Sequence, residues 1–535
     1  MAGGLLVWTW PPAVNEAHYL GKAKHFWNAD WCGNDLFAGS HETHWLFYLS
    51  AGWPSRFFPL TATAWLGRLA AWLVTAWGLV CLWRVFDPRG GSVLLAIPLT
   101  ILLNRYFHLA GEWFWGGIEG KSLAWGFVFA GVAAWLQSRW NRCGLCLAIA
   151  CGFHVVLGMW TLVAIALASI AGRMARPVGD SAFNAPPVVR GRPLIWILAG
   201  LFIFSGVLPA LQLNTGMSGQ DIARASEIQA FGRLAHHQDA MQFEAGRWIG
   251  FLALIAIWGL LIRHTWRNRT AAQSGFNRLV AAALVLDLAG WVLSLTAWAA
   301  PETRPWISRF LVLYWFRLAD VLVPLGVVVN AWFTLSRLPV TLRKGLAGSV
   351  AILLLLAVGQ QFAGNLRDPR SGSTRQASGR TAPIVDSQRD IQADRNWQSV
   401  CHWISRNTPS NAVFVTPANQ QTFKWYADRA EVANWKDMPQ DAAGVIEWHD
   451  RLNRLYRVVP QSEMGILGLF NHEILQIAED YGADYLIVET RFVDRRQQIG
   501  YPTGFQQIWP RDDSRRSTWT VFRLPRPVTN RDQVN

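Results

Sequence analysis

Between Asn15 and His44 the chain carries four acids (Glu16, Asp30, Asp35, Glu42), four histidines (His18, His25, His41, His44) and two lysines, all ahead of the first long apolar run. A carboxylate held at a membrane surface can take a proton from an acceptor hydroxyl or coordinate a divalent cation. Glu16 and Asp35 are the candidates for that work, with His18, Tyr19 and His44 placed to line the same site. A solvated, helix-capped loop with incidental charges is the bland alternative.

A second cluster joins Arg105, His108, Glu112, Glu119 and Lys121. Arg105 and Lys121 can hold a lipid phosphate, because guanidinium and ammonium groups bind phosphoryl oxygens strongly where water is scarce. Belt residues reaching toward headgroups would look similar, and Trp113, Phe114 and Trp115 belong at such an interface. A third is the pair His236-His237 with Asp239, which can meet a metal or a phosphate and titrates near neutrality. The fourth is Arg317 with Asp320. Three apart within an apolar stretch, they can pair on one helix face or share a phosphate, and ionisable groups there are costly enough to ask for a function. Arg68, His154 and Asp287 raise the same question, His154 reading as a hydrogen-bonded bundle residue. Gln420 to Tyr426, Arg429 and Trp435 to Asp441 form an aromatic, charged run that suits either sugar stacking or core packing, with Asp441 as a helix cap.

These groups need elements to position them. Of 535 residues, 52% are hydrophobic, 16% are charged and 32 are Trp. From Leu60 to Gly364 the apolar residues fall in blocks long enough to cross roughly 30 Å of hydrocarbon. The spans expected are 60 to 83, 92 to 109, 122 to 137, 143 to 172, 194 to 213, 248 to 262, 279 to 299, 307 to 336 and 345 to 362. The connectors 84 to 91, 138 to 142, 173 to 193, 263 to 278 and 337 to 344 hold 15 Lys/Arg against two acids. The opposite set, 11 to 59, 110 to 121, 214 to 247 and 300 to 309, holds nine against eleven. The first set is therefore expected to be cytoplasmic. That requires 143 to 172 to cross twice or re-enter, with a break near His154 and Gly158; one long tilted helix is the alternative.

The fold class expected is an α-helical polytopic membrane protein of about 9 to 11 transmembrane helices with a C-terminal soluble α/β domain. Its parts are 1 to 59 (an N-terminal segment and acidic first extracytoplasmic loop), 60 to 364 (the bundle), 365 to 390 (a linker rich in Arg, Ser, Gly and Gln) and 391 to 535 (the α/β domain). In the tail, helices are expected at 390 to 407, 441 to 457 and 474 to 481, and strands at 412 to 416, 485 to 489 and 518 to 524. Met1 to Trp10 is apolar but too short to span before Pro11 and Pro12, and reads as a truncated start or an interfacial segment. Cys143 and Cys146 read as packing residues, and Cys32 and Cys401, both expected on the oxidising side, are able to pair. The net charge of +14 is accounted for by the inner connectors and linker, so nucleic acid is not needed as a partner. The sequence holds no P-loop, no H-E-x-x-H, no dinucleotide fingerprint and no kinase signature.

The run Glu16-x-His18-Tyr19-x-Gly21-Lys22, followed by Asp35-x-Phe37 and nearby His, resembles the first-loop signature of GT-C superfamily glycosyltransferases, closest to protein O-mannosyltransferases. The resemblance implies a multi-pass enzyme using a polyprenyl-phosphate-linked sugar, with a carboxylate-assisted inverting displacement. Glu16 falls on the second acid of the family's Asp-Glu pair, and Asn15 stands where the first would be. A family base at the first position would leave the work to Glu16 or Asp35. Under this reading Lys121, Arg105 and Arg317 hold the donor phosphate, Glu119, His236, His237 and Asp320 line the site, and a divalent cation is an open cofactor. Partners are the lipid-linked donor and membrane lipids, in a cytoplasmic (inner) membrane with the C-terminal domain outside. The start Asn-Glu-x-His-Tyr-x-Gly-Lys-Ala-Lys also resembles a family of bacterial multi-pass proteins, which implies no activity. The alternative is a transport-type or non-catalytic protein whose tail binds a partner or glycan; inverted repeats would favour transport, and none is visible.

Overall fold

In the computed structural model residues 2–174, 193–368, 370–372, 387–456, 465–510 and 517–525 are described. Most of the connector at 173 to 193 and most of the linker at 365 to 390 lie outside them. The chain divides into two compact units, one made of residues 1–8, 43–47 and 66–366 and the other of 9–42, 48–65 and 367–535.

The first unit is a helical bundle. Among the described residues seven helices are long and apolar enough to cross a membrane: Leu60–Phe86, Val155–Met174, Pro193–Gln212, Ala245–Asn268, Ala271–Ala299, Trp315–Leu335 and Val340–Arg367. Two shorter apolar helices, Val93–Phe107 and Gly120–Leu136, and the helix Trp140–Phe153 complete it. The chain is a multi-pass helical membrane protein.

The break expected in 143 to 172 falls at His154, whose extended backbone separates Trp140–Phe153 from Val155–Met174. In one continuous helix Cys151 and Gly158 would stand about 10 Å apart along the axis. Here a Cβ on Gly158 would lie 2.4 Å from the Cys151 Sγ, so the chain doubles back. Between Leu60–Phe86 and Gly120–Leu136, Gly78 and Gly126 allow backbone contact, since a Cβ on Gly78 would sit 2.0 Å from the Gly126 carbonyl oxygen. Close approach at small residues is how helices associate in lipid. Gly78→Val is expected to lower stability by about 1–3 kcal/mol or more, seen as a lower unfolding temperature in detergent; an unchanged temperature would mean this crossing is not tight.

The span expected at 307 to 336 is not one helix. Arg304–Leu311 ends before Tyr314, a non-glycine residue in the left-handed region (φ 56°), and Trp315–Arg317 then forms a short turn leading into Ala319–Leu335. A bulky side chain in that conformation stores strain of order 1–3 kcal/mol.

The second unit combines the N-terminal segment with the tail. Its five-stranded sheet has the order β2-β1-β3-β5-β4, with β1 Val413–Val415, β2 Ala430–Glu431, β3 Tyr485–Glu489, β4 Gln506–Trp509 and β5 Trp519–Arg523. β1 is parallel to β2 and β3, while β5 is antiparallel to β3 and β4. Helix Ser387–Asn407 lays Trp397, Val400, Cys401 and Ile404 on Phe414, Tyr485, Ile487, Trp519 and Val521. Phe423 and Trp425, read as sugar-stacking candidates, are buried. Asp441 is a helix cap: its Oδ1 accepts from the Gly444 N–H at 2.7 Å. Cys32 and Cys401 are both free thiols, correcting the expected pairing.

Candidate functional site

Four turns meet at one end of the bundle. Glu119 caps the helix Gly120–Leu136, with a reciprocal bond between its own N–H and Ser122 Oγ, and this sets Lys121 in the first turn. The same helix start lies against the break at His154, since a Cβ on Gly120 would be 2.6 Å from the Phe153 carbonyl oxygen and 3.7 Å from His44 Nδ1. The left-handed Tyr314 turns Arg317 inward, its guanidinium 4.0 Å from the Tyr314 ring centroid. The fourth turn, 109 to 112, carries Glu112.

Glu112 is where these groups converge. Its Oε2 lies 3.2 Å from Arg317 Nε and 3.4 Å from Lys121 Nζ, and its Oε1 accepts from Trp125 Nε1 at 3.1 Å. Lys121 is also 3.8 Å from Glu119 Oε2 and 4.2 Å above the Trp113 ring. Arg317 Nη1 donates to His154 Nε2 at 2.6 Å, and the His44 and His154 rings are 6.0 Å apart. Glu112, Glu119, Lys121 and Arg317 are all buried. Two cations and two carboxylates therefore balance in a water-poor place, where electrostatic contacts are stronger than in solvent.

Arg317 does not pair with Asp320, contrary to the reading from their spacing. Asp320 instead takes the N–H groups of Leu109 (2.5 Å), Ala110 (3.0 Å) and Glu112 (2.9 Å). Asn104 Nδ2 adds bonds at 2.9 Å to the carbonyl oxygens of Glu112 and Asp320. The spacing argument assumed a continuous helix, and the turn at Tyr314 removes that premise. His237 reaches the same loop through the Ala110 carbonyl oxygen, with His236 stacked on it at 4.0 Å. Burial first, and then the neighbouring His236, hold the His237 pKa well below its ordinary value, so a neutral ring donates here. Arg105 is not part of the cluster: it is exposed and donates to the Leu6 carbonyl oxygen at 3.3 Å. Asp287 is buried in Ala271–Ala299, and neither of its oxygens has a hydrogen-bond partner among the described residues.

Glu16, His18, Tyr19 and Asp35 belong to the second unit. Glu16 is fully buried at the start of the helix Glu16–Trp27, where it accepts from the Ala13 N–H at 2.6 Å. Asp35 Oδ1 accepts from the Ala38 N–H at 2.8 Å, and Oδ2 meets the Glu431 N–H at 3.0 Å and Lys424 Nζ at 3.1 Å. Lys424 is the hub, also 2.7 Å from Glu431 and 2.8 Å from Asp437, and Asp437 in turn meets His18 Nδ1 at 3.1 Å. The His18 ring packs on Phe37 at 4.2 Å and against Tyr19 at 5.7 Å. Burial alone would pull the Lys424 pKa down, but Asp35, Asp437 and Glu431 more than offset it and hold the ammonium well above its ordinary value. Lys22 donates to the carbonyl oxygens of Phe37 (2.9 Å) and Ala38 (2.8 Å), and to Ser40. The motif that carries the family resemblance thus knits residues 16 to 40 to the tail. Lys424, Glu431 and Asp437 were not singled out as partners of Asp35, because nothing local links positions nearly four hundred residues apart.

Among the described residues no three His, Cys, Asp or Glu side chains converge as a metal ion requires. The fold and this cluster define a multi-pass membrane protein with a buried cation–carboxylate centre at one end of its bundle. Residues 395–455 match a domain family of unknown function, DUF6798. No curated protein matches the chain. A solved structure of the Archaeoglobus fulgidus oligosaccharyltransferase, in complex with Zn and sulfate, is similar over 78% of this chain and 58% of that chain, at 12% identity and a TM-score of 0.28. The chain spans less than two thirds of that protein's length.

Proposed function

We propose that the chain is a GT-C-like membrane glycosyltransferase that moves a sugar from a polyprenyl-phosphate donor to an acceptor outside the cytoplasmic membrane. The observation that carries this reading is the meeting of Lys121 and Arg317 on Glu112 in a buried site. A departing lipid phosphate gains charge as its bond to the sugar breaks, and two fixed cations stabilise that charge where water is scarce. In this reading Glu112 holds the place that a phosphoryl oxygen takes when the donor binds. The first-loop resemblance supports the same chemistry, although Asp35 and Glu16, the acids it nominates, are engaged inside the second unit.

Two observations support an outward site. Glu112, Glu119 and Lys121 fall in the acid-rich connector 110 to 121, and the second unit draws on both 9–42 and 367–535, which fits a reading with both on one side of the membrane. That reading needs an even number of crossings, and among the described residues seven long helices, two shorter ones and Trp140–Phe153 make ten if each of them crosses.

The test is release of label from radiolabelled polyprenyl-phosphate sugars by the protein in nanodiscs. Wild type is expected to turn over at least one donor, and Lys121→Ala to slow it by about 10²-fold or more. Failure of wild type with every donor would overturn the reading. The commitment of Glu16 and Asp35 favours the second reading, a non-catalytic or transport-type protein, and lipid-phosphate binding without turnover would select it.

A further inference from the structure

We propose that His154 is the proton acceptor of the transfer step, and that Arg317 is a latch keeping it out of use until a phosphate arrives; this rests on the reading above. A guanidinium only donates, so the 2.6 Å contact from Arg317 Nη1 requires His154 Nε2 to offer its lone pair. The ring is therefore unprotonated at Nε2. The Leu157 N–H faces Nδ1 at 3.3 Å, so both ring nitrogens confront donors although only one can accept. A neutral ring in this setting has one mismatched contact, and an imidazolium would add its charge beside Arg317, with Lys121 and His44 also acting on it. The base is present, but its lone pair is occupied by Arg317.

Phosphate changes the balance. A phosphoryl group offers the guanidinium oxygens in a forked geometry that one imidazole nitrogen cannot match. Arg317 already touches Glu112, the proposed placeholder for that group, so a small swing toward the phosphate releases Nε2. The acceptor hydroxyl then gives its proton to Nε2 as its oxygen bonds to the anomeric carbon. The anomeric carbon–oxygen bond to phosphate breaks, and its electron pair stays on the phosphate oxygen beside Arg317 and Lys121. The imidazolium formed keeps the charge balanced, and His44 is the next ring along. Binding the donor thus switches on the base, which guards against proton abstraction at an empty site.

The full-length protein in detergent tests this by carbethoxylation with diethyl pyrocarbonate, which attacks an available imidazole nitrogen, read at His154 by mass spectrometry. In wild type His154 is expected to react slowly. Farnesyl phosphate should raise the rate several-fold, and Arg317→Leu or Arg317→Lys should raise it without ligand and abolish the response to it. In His154→Gln transfer should fall by about 10²–10⁴-fold while farnesyl phosphate still binds. A His154 rate unmoved by either Arg317 substitution overturns the latch, and transfer surviving His154→Gln overturns the base. Absent turnover in wild type counts against the glycosyltransferase reading instead, and the modification rates still decide the latch.

Discussion

Lys424→Met is expected to unfold the second unit while the bundle persists. Breaking a buried ion pair from one side costs about 3–5 kcal/mol, because the abandoned charge stays desolvated, and Lys424 faces three carboxyls, Asp35, Glu431 and Asp437. Limited proteolysis should then cut within 387 to 525 and within 16 to 40 together, since Asp35 ties those stretches. Cleavage confined to the tail would sink the idea that they fold as one. The carboxyls differ in sign. Asp437 is pushed up by burial, but Lys424 and the bond from His18 outweigh this and hold its pKa well below the usual range. Its stabilising contribution is therefore complete above its unfolded value and fades as pH falls through the folded one. Glu431 is raised, by burial first, so its contribution is present below its unfolded value and is lost as pH rises through the folded one. At neutral pH Asp437→Asn should cost more stability than Glu431→Gln, measured by thermal melts; equal losses would mean the two share the lysine evenly.

The second large effect is expected at Asp320. Its two oxygens take three backbone N–H groups of the 109 to 112 loop. Asp320→Ala leaves buried donors unsatisfied at about 1–3 kcal/mol each. Asp320→Asn does little better, because its amide turns donors toward donors. With the loop released, Glu112 leaves Lys121 and Arg317, so farnesyl phosphate binding should change together with the melting temperature. A variant that melts lower but binds unchanged would separate the loop from the site.

Much of the architecture was legible from the amino acids, for identifiable reasons. Apolar runs marked the spans, and the basic connectors on both flanks of 143 to 172 demanded the reversal found at His154. Tyr485–Glu489 was readable as a strand because four of its five residues are buried in sequence. The edge strand Gln506–Trp509 and the helix Thr490–Gln498 escaped, the first being largely exposed and the second mostly polar. The site was legible as residue types and not as contacts. Lys121 and Arg317 were both nominated for phosphate, but their meeting point, Glu112, depends on a turn at Tyr314 that no Gly or Pro announces. The pairing of Arg317 with Asp320 failed for the same reason, and Asp35 was taken for a surface base because its partner, Lys424, lies at the other end of the chain.

The distance along the chain between Asp35 and Glu431, 396 residues, has a consequence for biogenesis. At roughly 5–20 residues per second, a ribosome needs on the order of 20–80 s to deliver the second after the first. Throughout that time Asp35 and His18 lack the counter-charges of Lys424 and Asp437. The second unit can therefore close only after the tail has been synthesised, so its amino-terminal part is the first made and among the last to be satisfied.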